Sequence, residues 1–495
     1  MQAIWRKVDE IFFRGQYDSA HLKAINILAL ITLFLGGIGH WVLFYKSISL
    51  NALDWEFPKR YYFALQKALT EYTIPYHTSN ALHPGAGQKF LAIPETILSP
   101  QIVLLKFMSV AEFMLVNQLI VYSIGFLGCV AIKRKYKLSL FTFSFLFLIF
   151  NFNGYILSHI SVGHYMWNGY FFLPFFCALI LSLAEGDLSV RTAIKLAVAL
   201  LFVIMQGSFH MYIWCLLFLG FIGISQKKYW RPILWTLLFT GLLSAFRLLP
   251  AIVTHHNLKR YPSEGYHTIT DLLFSFTVIG KIGVFGESWW EYDAYIGILG
   301  FALIAYFGVL VYFRKESQFR DCQYRALDLP IALMVLSSVG LFYTLLARLP
   351  LPFFGAEAIV TRFIVIPLLM LLFISCIRLQ QSLNSFEQTP LTRILSLAML
   401  LQMAVEFKNH TLYSVIMYNR IHDGLDTSGD NLLLWRNVFN TYPNETLMPA
   451  VELINLADPF YKSVVNVSYL ISILSLLALC FLFFRSKQAK SLSQI

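Results

Sequence analysis

An all-α fold, a polytopic bundle of about twelve transmembrane helices, is predicted by the composition of the sequence and by the length of its apolar runs. Hydrophobic residues make up 58% of the 495 residues and charged residues only 13%, whereas a soluble chain keeps about a quarter of its residues charged. Runs of about 20 apolar residues, the length that a spanning helix needs, recur along the chain. They lack the alternation over about ten residues that marks membrane strands.

The net charge of +11 comes in large part from short basic clusters that follow hydrophobic runs, such as residues 133–137 and 227–231. An excess of Lys and Arg marks the cytoplasmic ends of spanning helices. The clusters therefore predict a topology with both termini in the cytoplasm, and they do not indicate a nucleic-acid partner. Five of the six Cys residues lie in or beside apolar runs, which indicates neither a disulfide framework nor a thiolate metal site.

Each of the early helices is defined by an apolar run and by the polar group at which it ends. Residues 1–23 are basic and are predicted to stay in the cytoplasm, because the next run is too long for a signal-peptide core. The run at 24–45 leads outward, and the run at 111–132 returns to a basic cluster. Two hairpins follow, each turning outside at a group that contains His, with helices at 138–158 and 167–184 and at 193–207 and 209–225.

The later helices follow the same rule. The run at 233–250 leads outward, and the run at 295–313 returns to Arg314 and Lys315. Four further runs complete the bundle, at 329–347, 362–378, 392–407 and 464–484. The sequence thus predicts a single transmembrane domain over 24–484 with a cytoplasmic tail over 485–495. The predicted outer loops are 46–110, 251–294, 348–361 and 408–462.

Histidine is concentrated on the predicted outer side. Of the 12 His residues, only His21 maps to the inside. Imidazole titrates near neutral pH and serves in proton transfer and in phosphate or metal contacts. Longer outer loops would also hold more polar residues by chance, so both a functional cluster and simple loop length account for this distribution.

The first outer loop places an acidic pair directly after a spanning helix. Asp54 and Glu56 precede Pro58, a residue that suits the first turn of a helix. Residues 58–72 then carry apolar and aromatic side chains at helical spacing, which predicts an amphipathic helix on the outer membrane surface. A carboxylate there could act as a general base or hold a divalent cation. Alternatively, Asp54 could cap the surface helix, and Glu56 could favour its positive end.

Further polar candidates lie in loops rich in Gly and Pro. His83 and Glu95 belong to the non-helical remainder of the first loop, a kind of backbone that is tolerated where it lines a cavity. Glu287 lies close to Glu291, Asp293 and two Trp residues. Aromatic faces with carboxylates suit sugar contacts, although Trp at this depth also belongs to the normal interfacial belt.

Several short motifs are spread in order over most of the chain. They are Asp54 with Glu56, Ile93-Pro94-Glu95, Gly163-His164, Gly207-Ser208-Phe209-His210, Ala245-Phe246-Arg247, Tyr295-Ile296-Gly297 and Thr361-Arg362-Phe363. Each is weak alone, but together they resemble the GT-C class of membrane glycosyltransferases, specifically its bacterial YfhO-like branch. The resemblance implies a GT-C-like fold and an inverting transfer of a sugar from a polyprenyl-phosphate carrier. The acceptor would be a lipid, a glycan or a cell-envelope polymer outside the cytoplasm of a prokaryote.

The resemblance also implies roles for individual residues. The acidic residue after the first helix is the family's usual catalytic base, which maps to Asp54 with Glu56 beside it. The leaving phosphate needs cationic donors, for which residues at outer helix ends are the candidates. The implied substrate-binding residues are Lys59, Arg60, His83, Glu95, His164, His210, Arg247, Glu287 and Arg362.

One departure from the family leaves the use of a metal open. Many GT-C enzymes carry a second acidic motif on the next outer hairpin, whereas residues 158–168 offer His159 and His164 and no carboxylate. The expected partners are the lipid-linked sugar donor, membrane lipids and the acceptor. A divalent cation is neither required nor excluded by the sequence.

Two other functions compete with this interpretation. An O-antigen-ligase-like transferase would also use a polyprenyl carrier, but it would depend on late-loop residues such as Arg420, His422 and Arg436. A transporter or flippase of lipid-linked glycans would be expected to show internal repeats and ionisable groups deep in the membrane. The sequence shows no clear repeat and few deep charges.

Overall fold

The computed structural model of the protein describes residues 9–10, 12–15, 19–50, 53–79, 88–254, 265–280, 285–313, 323–346, 348, 357–385, 389–422 and 451–492. These residues form an all-α bundle with one short two-stranded ribbon. The α-helices are α1 (Ala20–Lys46), α2 (Glu56–Glu71), α3 (Val110–Lys135), α4 (Leu140–Phe152), α5 (Gly154–Ser161), α6 (Leu173–Ala184), α7 (Val190–Met205), α8 (Phe209–Ser225), α9 (Trp230–Leu243), α10 (Ala245–Thr254), α11 (Ile269–Thr277), α12 (Gly297–Leu303), α13 (Asp328–Ser337), α14 (Gly340–Leu346), α15 (Val365–Ser385), α16 (Pro390–His422) and α17 (Pro459–Leu492).

The apolar surface of the bundle shows that the protein is embedded in a membrane. Among the described residues, eight helical segments are long and apolar enough to cross one, and nine if the bent pair Lys227–Leu243 and Ala245–Thr254 is one span. The span Val360–Ser385 is 94% buried and lies at the centre, whereas Ala20–Lys46 is only 17% buried. Apolar helix surfaces exposed to this extent are stable in contact with lipid and unstable in contact with water. The predicted all-α membrane bundle is confirmed at this level.

Several helices that the sequence predicts as continuous are interrupted. The interval 138–158 contains α4 and α5, which meet at Asn153. The Asn153 side chain replaces the lost helical bonds, because its Oδ1 accepts the Ile156 N–H and its Nδ2 donates to the Ile149 carbonyl at 2.8 Å. Buried backbone groups in a membrane require such partners. The interval 295–313 likewise contains α12, a π-helix (Ile304–Val309) and a 3-10 helix (Leu310–Phe313).

The predicted helix 233–250 is bent by 75° between α9 and α10. The bend follows Ser244, whose N–H still bonds to the Thr240 carbonyl. As a result α10 packs against the last helix α17 and against the first-loop 3-10 helix Phe90–Ala92. Arg247 therefore lies on a separate short helix and not at the end of a straight span.

The first long loop is built as the sequence predicts in one part and differently in others. Helix α2 forms, and Tyr61, Leu65 and Ala68 of the predicted apolar face are buried. Tyr72, assigned to the same face, instead ends the helix in a left-handed conformation and is 82% exposed. Further along, strand β1 (His77–Thr78) pairs antiparallel with β2 (Leu453–Ile454), which joins the loop to the start of α17.

The predicted outer loop 408–462 begins later than expected. Helix α16 continues to His422, because residues 408–419 keep a buried face that includes His410, Ser414 and Tyr418. The sequence placed the helix end at 407, where the polar pair Lys408-Asn409 begins. The tertiary contacts of the following turns outweigh this local polarity.

Candidate active site

Helix ends and loops from distant parts of the chain meet around a cavity of about 300 Å³, the Asp54 pocket. It lies between the first-loop segments, the hairpins that begin at Gly163 and Gly207, and the segment that precedes α15. Its lining residues are Asp54, Phe57, Pro58, Tyr61, Tyr62, Glu95, Ile97, Gly163, His164, Tyr165, Met166, Trp167, His210, Glu357, Ala358, Ile359 and Arg362. Five of the motifs noted in the sequence, those around Asp54, Glu95, His164, His210 and Arg362, thus converge on one cavity.

Asp54 is fixed to the pocket wall by its neighbours on the chain. It lies in the 3-10 helix Leu53–Trp55, and its N–H donates to the Val162 carbonyl at 3.0 Å. The indole N–H of buried Trp55 donates to the Ser161 carbonyl at 3.0 Å. Gly163, with φ of +96°, lies so close that any side chain there would overlap the main chain of Asp54 and Trp55. The Gly163-His164 motif therefore docks the acidic segment.

We expect Gly163→Ala to lower the stability of the protein by about 3 kcal/mol and to displace Asp54, because a left-handed backbone alone costs about 1–2 kcal/mol and the overlap adds to it. Gly186→Ala is the matched control: its φ is +100° and nothing lies within 4 Å of an added methyl group. Unfolding midpoints of both variants in detergent test this. Equal destabilisation of the two would contradict the docking role.

His164 and His159 form a stacked pair directly behind Asp54. His164 Nε2 lies 2.8 Å from Asp54 Oδ2, and the Nδ1 atoms of the two imidazoles are 2.7 Å apart. The His159 side chain is fully buried, while the Asp54 side chain is 49% exposed to the pocket. The pair thus anchors one carboxylate oxygen and leaves the rest of the carboxylate accessible.

Glu291 and Arg362 form a buried, two-pronged ion pair beside the imidazoles. Arg362 Nε donates to Glu291 Oε2 at 2.7 Å, and Nη2 donates to Oε1 at 2.6 Å. The guanidinium also stacks over the Trp167 ring, 4.8 Å from its centroid. A bidentate pair of this kind fixes both side chains. It also occupies two nitrogens of the guanidinium that was expected to bind phosphate.

A second buried carboxylate, Glu357, holds His210 on the opposite wall. His210 Nδ1 lies 2.9 Å from Glu357 Oε2, and its Nε2 lies 3.6 Å from Glu95 Oε1. The indole N–H of Trp214 also donates to Glu357, at 3.2 Å. Burial alone would raise the pKa of Glu357, but His210 and Arg362 outweigh it and keep the pKa below its usual value. Glu357 is therefore ionised at neutral pH.

Glu95 is positioned by main-chain contacts of its loop. Buried Arg247 donates from Nη2 to the carbonyls of Ile93, Pro94 and Thr96 at 2.7–3.0 Å. Gly207, with φ of +74°, approaches the Glu95 carbonyl so closely that a side chain would overlap it. Arg247 does not line the pocket. Arg247 therefore positions the loop that carries Glu95, whereas the sequence predicted that Arg247 binds phosphate.

We expect Arg247→Met to destabilise the protein by about 3 kcal/mol, because three buried carbonyls lose their donor and each such loss costs about 1–3 kcal/mol. Arg191→Met, an exchange of the same type on α7 away from the pocket, is the control. Thermal unfolding midpoints and proteolysis of the first loop measure the effect. An unchanged midpoint for Arg247→Met would show that the loop holds without the guanidinium.

The remaining predicted site residues do not meet at the pocket. Glu56 lies on the exposed side of α2 and pairs with Arg60 one helical turn away. Lys59 faces the packing side of α2, where burial lowers the pKa of its ammonium group. None of the three lines the pocket, since only the N-terminal turn of α2 that includes Phe57 and Pro58 faces it. The catalytic role predicted for Glu56 and the binding roles of Lys59 and Arg60 thus lack the required placement.

Five predicted residues lie outside what the structure describes in full. His83 and Arg436 belong to ranges that it does not describe, and the side chains of Glu287, Arg420 and His422 are likewise outside it. Their predicted roles stay predictions.

Three groups in the pocket wall or directly behind it, Trp167, Glu291 and Glu357, were not assigned by the sequence. Glu357 is the one charged residue between Arg348 and Arg362, and this isolation just before a helix was a usable signal. Glu291 was noted only beside Glu287 and two Trp residues, and Trp167 was covered only by the predicted helix 167–184. The partner of Glu291, Arg362, is 71 residues away in the chain, and the partner of Glu357, His210, is 147 residues away. No local sequence pattern reveals such pairs.

The charge balance of the site is acidic. Within the described residues, the carboxylates of Asp54, Glu95, Glu291 and Glu357 stand against the single guanidinium of Arg362 and the imidazoles. Glu291 and Glu357 are buried, and an excess of carboxylates around buried ions calls for additional positive charge, from protons or from a cation. The acidic balance differs from the group of cationic side chains that the sequence predicted for binding a phosphate.

Comparison of the chain with protein-family models, with curated proteins and with solved structures finds no match.

Proposed function

We propose that the protein is a membrane glycosyltransferase that moves a sugar from a polyprenyl-phosphate carrier to an acceptor hydroxyl outside the cytoplasm. The observation that carries this proposal is the half-exposed Asp54 carboxylate, held at 2.8 Å by His164 in the wall of a cavity at the helix ends. A positioned carboxylate facing a cavity meets the geometric requirement for a general base. The motif resemblance described above supports the same activity.

The sidedness of the pocket supports an outward-facing site. Helix α8 begins beside His210 at the pocket and ends just before the basic cluster at Lys227. Helix α3 likewise ends at Lys133–Lys135, and its Asn117 bonds to the pocket residue Tyr165 nearer its start. Basic clusters mark cytoplasmic ends. These positions support a pocket on the non-cytoplasmic side, which is part of the proposal together with a multi-pass topology that keeps both termini inside.

The proposed reaction is a single displacement at the anomeric carbon. The acceptor oxygen forms the new C–O bond as its proton moves to the Asp54 carboxylate. The bond between the anomeric carbon and the phosphate oxygen breaks, and the lipid phosphate leaves with the electron pair. The proton then passes from Asp54 to solvent at the open side of the pocket. His210 and the third nitrogen of Arg362, 3.9 Å from Glu357, are the cationic donors nearest the cavity.

The experiment that tests the proposal uses membranes that contain the protein and a panel of polyprenyl-phosphate donors carrying radiolabelled sugars. The expected result is label in a new glycosidic linkage, absent from matched membranes without the protein. Label that crosses the membrane while still attached to its carrier would support a transporter and contradict the proposal. Label that moves as a preassembled glycan onto a core acceptor would favour the ligase-like alternative.

A further inference from the structure

The side chains of His159, His164 and Glu291 form a compact cluster immediately behind Asp54. Each offers one ligand atom, and these atoms all lie within 4.8 Å of one another. The side chains are 0%, 7% and 4% exposed, respectively. Two imidazoles and a carboxylate are the ligand set of many zinc sites that keep an open position.

The protons in this cluster do not balance without an added positive charge. If Asp54 is ionised, His164 carries its proton on Nε2 and donates to Asp54, so that its Nδ1 is a lone pair. His159 Nδ1 then carries the proton shared at 2.7 Å. His159 Nε2 is then a second nitrogen with a lone pair. It is fully buried, has no hydrogen-bond partner among the residues that the structure describes, and lies 3.8 Å from a Glu291 oxygen. Two buried acceptors that face each other repel.

The charge around the cluster favours a dication. Glu291 already accepts both prongs of Arg362, yet each carboxylate oxygen keeps a second lone pair for a further partner. Asp54, Glu95 and Glu357 add negative charge nearby. A dication offsets this excess, and its binding would relieve the facing lone pairs at the same time.

We propose that His159, His164 and Glu291 hold a transition-metal dication of the zinc type. Imidazole ligands favour zinc over magnesium or calcium. The ligand atoms are the two Nδ1 atoms, now 2.7 Å apart, and the proton that they share moves to His159 Nε2, which faces Glu291. Two nitrogens bound to tetrahedral zinc at about 2.0–2.1 Å are about 3.3 Å apart, so the imidazoles separate by roughly half an ångström on binding. Asp54 is then the carboxylate that accepts the Nε2–H of a metal-bound His164, an arrangement that fixes ring orientation. The catalytic consequence, a firmly oriented base, rests on the proposed function, whereas the metal site itself does not.

The test measures metal binding without any activity assay. Purified protein is stripped with a chelator, and the binding of Zn²⁺ is then measured by equilibrium dialysis with metal analysis. We expect one tightly bound Zn²⁺ per chain. His159→Asn should weaken binding by about 100-fold or more, and Asp54→Asn, which leaves His164 a neutral partner in place of a charged one, by roughly 10-fold. His40→Asn, a change of a half-buried His on α1, should have no effect.

Co²⁺ substitution of the wild-type protein guards against a variant that fails to fold. We expect visible absorption bands typical of nitrogen and oxygen ligands. Absence of stoichiometric Zn²⁺ binding in the wild type, or equal affinity in His159→Asn, would overturn the proposal, as would a cobalt spectrum with thiolate bands. Metal binding in a protein that transfers no sugar would leave the metal site standing and sink the proposed function alone.

Discussion

Asp54→Asn should lower the rate of sugar transfer by about 10²–10⁴-fold, the contribution of a positioned general base. The amide keeps the shape of the carboxylate and can still bond to His164, so the pocket should stay folded. The amide cannot take the proton of the acceptor hydroxyl, which is the step proposed for Asp54. The turnover number at saturating donor, measured in membranes with equal amounts of protein, reports the loss.

Glu71→Gln is the matched control for this change. Glu71 ends α2, the helix that follows Asp54, is exposed, and makes a long contact of 3.9 Å with Lys67. We expect its turnover to equal that of the wild type. Wild-type turnover in Asp54→Asn would reduce Asp54 to a structural residue that docks against Gly163.

Arg362→Met should destabilise the protein by about 3–5 kcal/mol, because it leaves Glu291 buried without its partner. The lost guanidinium also contacts Trp167 and lies 3.9 Å from Glu357. The double variant Arg362→Met, Glu291→Met should recover much of this stability, since an apolar pair replaces the buried ions. Unfolding midpoints of the single and double variants form a cycle that isolates the pair.

The control for the ion pair is Arg60→Met. Arg60 makes the same kind of contact with Glu56 on an exposed helix face, where such pairs contribute about 0–1 kcal/mol. If Arg362→Met destabilised the protein as little as Arg60→Met, the Glu291–Arg362 pair would be exposed to solvent. The charge balance described for the pocket would then be wrong.

Local pattern predicted the helices and one part of the site. Asp54 and His164 were recognised because a carboxylate after a spanning helix and a Gly-His turn stand out in an apolar sequence. Their meeting across 110 residues was not encoded in any local period. It follows from the tight approach at Gly163, which only the folded structure shows.

Long charged side chains were the least predictable part. Arg247 and Arg362 occupy similar places in the sequence, each near the end of an apolar run. One bonds to loop carbonyls after a 75° bend, and the other to a carboxylate 71 residues away. The helix break after Ser244 redirects Arg247, and hydropathy does not predict such breaks. The N–H of Phe246 after this bend donates to Ser472, and the N–H of Gly154 at the Asn153 break donates to the Tyr295 carbonyl, so both breaks have tertiary contacts.

The anomeric configuration of the product tests directly whether the sugar is transferred in a single displacement with Asp54 as base. A donor of known configuration is supplied to membranes that carry the wild-type protein, and the new linkage is determined by nuclear magnetic resonance. One displacement with Asp54 as base predicts inversion at the anomeric carbon. Retention would contradict the account, because it requires a covalent intermediate or two displacements, for which the account gives Asp54 no role.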